Sequence, residues 1–133
     1  MLKERIKYTD CNGVEREEDF YFNLTKAELM EMELGTTGGL TVMINKAVAA
    51  QDSPTIIKIF KDLILKSYGE KSDDGRRFIK STELSTAFSQ TEAYSILFMQ
   101  LATDADKASK FVNGIVPDDM SGAVNPDHPA LKN

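Results

Sequence analysis

Apolar and polar positions first alternate along the chain and then recur at helical spacing. Ile6 and Tyr8 lie two apart, as do Phe20 and Phe22, which is the period of a strand with one covered face. Between them runs Thr9-Asp10-Cys11-Asn12-Gly13, and Asn-Gly accepts the positive φ angles of a tight hairpin turn. The pattern predicts an N-terminal hairpin, about Leu2–Tyr8 with Val14–Phe22. Its second strand carries Glu15, Glu17, Glu18 and Asp19, so part of it must face water. A lone hairpin is marginal, so this one must lean on helices or pair with another chain. An open edge at Leu2–Tyr8 predicts self-association at high concentration.

Helical signals follow. Thr25-Lys26-Ala27-Glu28 is a capping box opening a short helix with Leu29, Met30, Met32 and Leu34, and Gly35-Thr36-Thr37-Gly38-Gly39 ends it. Leu40, Met43, Ile44 and Val48 mark a second helix over about Leu40–Ala50. Ser53 and Pro54 suit the first turn of a third, and Gly69 suits the left-handed residue that closes it. Within it Ile56, Phe60, Leu63 and Ile64 form a stripe, widened by Ile57, Ile59, Leu65 and Tyr68. Only Lys58, Lys61, Asp62 and Lys66 clearly need water. So wide a stripe predicts contacts on more than one side and makes Pro54–Tyr68 the central helix.

Beyond it, Gly69 to Gly75 reads as an exposed polar loop, and Arg76-Arg77-Phe78-Ile79-Lys80 as a brief extended piece. Ser81 caps a short helix with Leu84 and Phe88. Ala93, Tyr94, Leu97, Phe98 and Leu101 stripe another over Gln90 to Leu101. Thr103-Asp104-Ala105-Asp106 reads as a capping box for a last helix, with Phe111 and Val112 inward and Gly114 as terminator. The fold class is α+β, mostly α: a hairpin, then about five helices around Pro54–Tyr68. Residues 1–117 form one globular domain. From Pro117 the apolar pattern stops, and Gly122, Pro126 and Pro129 predict a flexible tail over 118–133.

Composition narrows the function. The 133 residues hold 16 Lys and Arg against 21 Asp and Glu, a net charge of −5, which argues against a general polyanion binder. The single Cys11 excludes an internal disulfide and fits a reducing compartment. Early charges argue against a signal peptide, and no apolar run approaches the roughly 20 residues that span a bilayer. No Cys/His cluster has metal spacing, and no cofactor motif is present.

The local motifs favour structural readings. Asp10-Cys11-Asn12-Gly13 opens like an EF-hand, but Val14 and Tyr21 stand where the fifth and twelfth positions need oxygen ligands. Gly38-Gly39 lacks the Lys-Ser/Thr of a phosphate loop and reads as a hinge. Cys11 and the distant His128 make a poor nucleophile pair, and Asp73-Asp74 sit in a polar loop. Arg76, Arg77 and Lys80, with Lys71 near, are the best basic cluster; Asp73 and Asp74 offset its field, which favours a solvated strand edge over nucleic acid. Methionines at 30, 32, 43 and 99 are core filler or, alternatively, an adaptable surface for helical partners.

Several runs resemble tail assembly chaperones of long-tailed, siphovirus-type phages and prophages of Gram-positive bacteria. They are Glu18-Asp19-Phe20-Tyr21-Phe22-Asn23-Leu24-Thr25-Lys26-Ala27-Glu28, Gly75-Arg76-Arg77-Phe78-Ile79-Lys80-Ser81, Phe88-Ser89-Gln90-Thr91-Glu92-Ala93-Tyr94 and Phe111-Val112-Asn113-Gly114-Ile115-Val116-Pro117. The resemblance implies a protein without catalysis or cofactor, acting in the bacterial host cytoplasm. It would bind the tape measure protein while the tail tube polymerises, and be absent from the mature virion. It also implies self-association and, in many phages, a longer frameshifted form joined near the end of the short one. The alternatives are a structural tail or head completion protein, which mass spectrometry of virions would reveal, and a small nucleic-acid-binding regulator using Arg76, Arg77 and Lys80. For partner binding the expected surface is Met30, Met32 and Met99, with Arg76 and Arg77 at the basic cluster. Met30 is offset from the Leu29–Met32 face and Met99 lies beside the Tyr94–Leu101 stripe, so both are either exposed or packed on a neighbouring helix.

Overall fold

The computed structural model describes residues 1–35, 39–50 and 53–117. In chain order these form β1 (Leu2–Thr9), β2 (Glu15–Phe22), α1 (Lys26–Leu34), α2 (Leu40–Ala50), α3 (Ser53–Ser67), β3 (Tyr68–Lys71), β4 (Phe78–Ile79), α4 (Thr82–Ser89), α5 (Glu92–Thr103) and α6 (Ala105–Ile115). The protein is α+β and mostly α, with an N-terminal hairpin and six helices among the described residues. The expected tail over 118–133 and residues 36–38 of the segment expected to hold the Gly38-Gly39 hinge lie outside the described residues.

Asp10 builds the hairpin turn. Its carboxylate accepts bonds from the N–H groups of Asn12 and Val14, both at 2.9 Å, and Gly13 takes φ +79°. Arg16 clasps the same carboxylate, which lies below its ordinary pKa through that bond and the Val14 N–H. Asp10 is thus committed to the turn. Register runs from Leu2 opposite Phe22 to Thr9 opposite Glu15. Directly paired residues share a face. Leu2, Ile6, Tyr8, Phe20 and Phe22 therefore turn toward the helices, while Lys3, Arg5 and Lys7 lie with Tyr21, Asp19 and Glu17 on the other face. Arg5 bridges Glu17 at 3.2 Å and Asp19 at 2.9 Å.

The hairpin does not stand alone. Tyr21 pairs with Gly69 and Phe22 with Tyr68, and β3 pairs with β4, giving an antiparallel sheet ordered β1-β2-β3-β4. Here the structure corrects the helix end expected at Tyr68–Gly69. The Ser67 hydroxyl donates to the Leu63 carbonyl at 2.6 Å, the Asn23 N–H donates to the Ser67 carbonyl, and the chain passes straight into β3. Tyr68 stacks on Phe88, rings parallel and 4.4 Å apart. Gly69 serves close approach rather than a left-handed cap. A Cβ there would stand 2.7 Å from the Ile79 carbonyl oxygen and 2.8 Å from the Phe78 ring.

The capping box opening α1 is present: Glu28 N–H donates to the Thr25 hydroxyl at 3.1 Å and Thr25 N–H to the Glu28 carboxylate at 2.9 Å. Ser81 caps α4. The last helix differs from expectation. Asp104, not Thr103, caps it, accepting from Asp106 and Lys107, while the Thr103 hydroxyl donates back to Met99. Gly114 does not end α6, which continues to Ile115; a Cβ on Gly114 would come within 2.9 Å of Leu2, so glycine admits the strand.

The core lies between the sheet and the helices. From α3 come Ile59, Phe60, Leu63, Ile64 and Ser67, from its middle to its end; from α6 come Phe111, Val112 and Ile115, and from α5 Ala93, Leu97 and Leu101. Phe22 is fully buried, with edge contacts to Phe88 and Phe111. The Leu24 N–H donates to the Ile115 carbonyl at 2.7 Å, tying the end of α6 to the segment that leads into α1.

Candidate partner-binding site

The first three helices leave an open space between them of about 730 Å³. Leu24, Ile59 and Leu63 form its buried floor, and half-buried Met32 and Met43 overhang it from α1 and α2. Helical spacing explains this geometry. Ile59 and Leu63 are one turn apart on α3, and Glu28, Glu31 and Met32 share the α1 face that looks back at it. Lys58, Asp62 and Lys66 run along the α3 wall. The site is a groove with an apolar bottom, two flexible thioethers and charged borders.

One end of α1 is pinned. Lys80 Nζ donates to both Glu28 carboxylate oxygens at 2.8 and 2.9 Å, across 52 residues of sequence. Burial pushes the Glu28 carboxyl up, but the Lys80 ammonium and the Thr25 N–H outweigh that and leave it below its ordinary value. Lys80 follows β4 directly, so the close β3–β4 packing at Gly69 sets where the groove's α1 wall is held. The far side of α1 is apolar as well: Met30 is 64% and Leu34 82% exposed.

The residues expected from sequence fall in three places. Met32 lines the groove. Met30 lies on the outer side of α1, and Met99 on α5 is 53% exposed; neither lines the groove. Arg76 and Arg77 are exposed at the β3–β4 turn, away from it, where Asp74 accepts the Arg76 N–H at 3.0 Å. Sequence reasoning counted Met43 among the methionines that could meet a helical partner but left it out of the expected partner surface, and it did not single out Glu31, Lys58, Asp62 or Lys66 for this site. The four-residue step of the last three was a readable signal, taken only as a need for water.

The arrangement offers apolar contact bordered by charge. Among the described residues no three of His, Cys, Asp and Glu are grouped to hold a metal ion, and no helix is long and apolar enough to cross a membrane. An α+β domain with a helix-walled groove defines a broad class, and comparison narrows it. The sequence model of the phage tail assembly chaperone family matches residues 1–132, and the chain belongs to that family. No curated protein and no solved structure matches it.

Proposed function

We propose that the chain holds an amphipathic helix of the tape measure protein in the α1–α2–α3 groove during tail assembly, without catalysis or cofactor. The observation that carries this is the pair Met32 and Met43 over the apolar floor of Leu24, Ile59 and Leu63. Thioether chains adapt to varied apolar faces, and amphipathic helices are recognised by laying that face into such a groove. Family membership supports the assembly role. The exposed Met30–Leu34 face of α1 extends the apolar surface available to a long partner.

The same reading places the protein in the host cytoplasm of a long-tailed phage of Gram-positive bacteria, and outside the finished virion. It leaves room for self-association and for a longer frameshifted form. The experiment is co-purification with the tape measure protein, wild type against Met43→Asp, with circular dichroism to check folding. Retained co-purification by a folded Met43→Asp chain would move the site elsewhere. A structural completion role predicts the chain in purified virions by mass spectrometry; the chaperone role predicts its absence.

A further inference from the structure

The α3 wall carries an ordered charge pattern. Lys58, Asp62 and Lys66 follow at four-residue steps, so they form one ridge about 12 Å long beside the floor residues Ile59 and Leu63. All three are exposed, and among the described residues none takes part in an ion pair. On the opposite wall Glu28 is engaged by Lys80, while Glu31 is exposed toward the groove. One border therefore reads plus, minus, plus, and the other contributes an unengaged minus.

We propose that this groove selects helices by charge order. The preferred occupant is an amphipathic helix whose apolar stripe is bordered on one side by acid, base and acid at four-residue steps, with a base on the other. This deepens the proposed function and rests on it. Acid and base four residues apart on the occupant also support its own helix. The plus-minus-plus order is palindromic, but reversing a helix with its stripe kept on the floor exchanges its two borders, so the acid-base-acid border meets the α3 wall in one direction only. Each exposed pair contributes little, and like charges cost a similar amount, so discrimination comes from three positions acting together. Matched against inverted borders should differ about 10–100-fold in affinity, with the gap narrowing in high salt.

The test uses two synthetic helical peptides with one apolar stripe and opposite borders, Glu-Lys-Glu or Lys-Glu-Lys at four-residue steps, titrated into the full chain by fluorescence anisotropy. The Glu-Lys-Glu peptide should bind more tightly, and the triple variant Lys58→Glu/Asp62→Lys/Lys66→Glu should reverse the order. Equal affinities would overturn the charge code. So would failure of both peptides alongside normal capture of the tape measure protein, which leaves the proposed function standing. Failure of peptides and tape measure protein together would remove both. A peptide of residues 118–133 displacing the Glu-Lys-Glu peptide would make the chain's own end the occupant and overturn the proposal. Self-association abolished by the triple variant would assign the groove to a second copy, with the same effect.

Discussion

Substitution of Gly69 separates two explanations of one residue. A Cβ at this position would lie 2.7 Å from the Ile79 carbonyl oxygen and 2.8 Å from the Phe78 ring, and the nearer atom is backbone. A carbonyl held in the β3–β4 ladder yields less readily than a side-chain tip, so Gly69→Ala sits at the upper part of the usual range for overpacking, about 2–3 kcal/mol. For a domain of this size that lowers Tm by on the order of 10 °C. Gly75 is the control. It has φ +74° with nothing within 4 Å of an added Cβ, so Gly75→Ala costs only the left-handed backbone penalty, about 1–2 kcal/mol. Asparagine sharpens the contrast, because it tolerates the left-handed region better than alanine but is larger. At Gly75, Asn should be better than Ala; at Gly69, worse. Urea unfolding of the four variants reads the order directly. If Gly69→Asn is more stable than Gly69→Ala, Gly69 acts as a helix cap and the close-approach explanation is wrong.

The other predictions concern core, latch and titration. Phe60→Ala should cost about 3–5 kcal/mol in denaturant unfolding, because Phe60 is buried on α3; a loss below about 1 kcal/mol would contradict its place in the core. Lys80→Met should cost about 1 kcal/mol, discounted because over a third of the Glu28 side chain meets solvent. Since the Glu28 pKa is depressed, that contribution is present above the ordinary value of 4.5 and is lost as pH falls through the lowered one; the wild-type and Lys80→Met stability curves should converge there. Tyr8 donates to Glu18, which, with burial, pushes its phenol up to about 12. Stability from Tyr8 is therefore full below pH 10 and lost as pH rises through about 12, and Glu18→Gln should lower the tyrosinate titration seen in near-ultraviolet absorbance.

Local chemistry was readable where a residue's role is confined to its neighbours in sequence. The Thr25–Glu28 box, the Asp10–Gly13 turn and the Ser81 cap each need only a few consecutive residues, and each appears in the structure. Gly69 and Gly114 were misread because their reasons are distant. Ile79 crowds one and Leu2 the other, and composition cannot distinguish a glycine that needs positive φ from one that needs space. Thr103 and Asp104 are both good caps, and position alone did not decide between them. The short strands β3 and β4 carry almost no periodic signal; pairing of β3 with β2, and of β4 with β3, makes them strands. The groove was the least legible feature. Met32, Met43 and Ile59 sit on three helices, and nothing within any one of those segments records how the three meet.

Titration calorimetry of the purified chain with its tape measure protein tests the central claim most directly, comparing wild type, Met43→Asp and the rim variant Lys58→Glu/Lys66→Glu. The groove account predicts saturable binding by wild type, at least a tenfold loss for Met43→Asp and a smaller, salt-dependent loss for the rim variant, with both variants folded by circular dichroism. Wild-type affinity in both folded variants would contradict it.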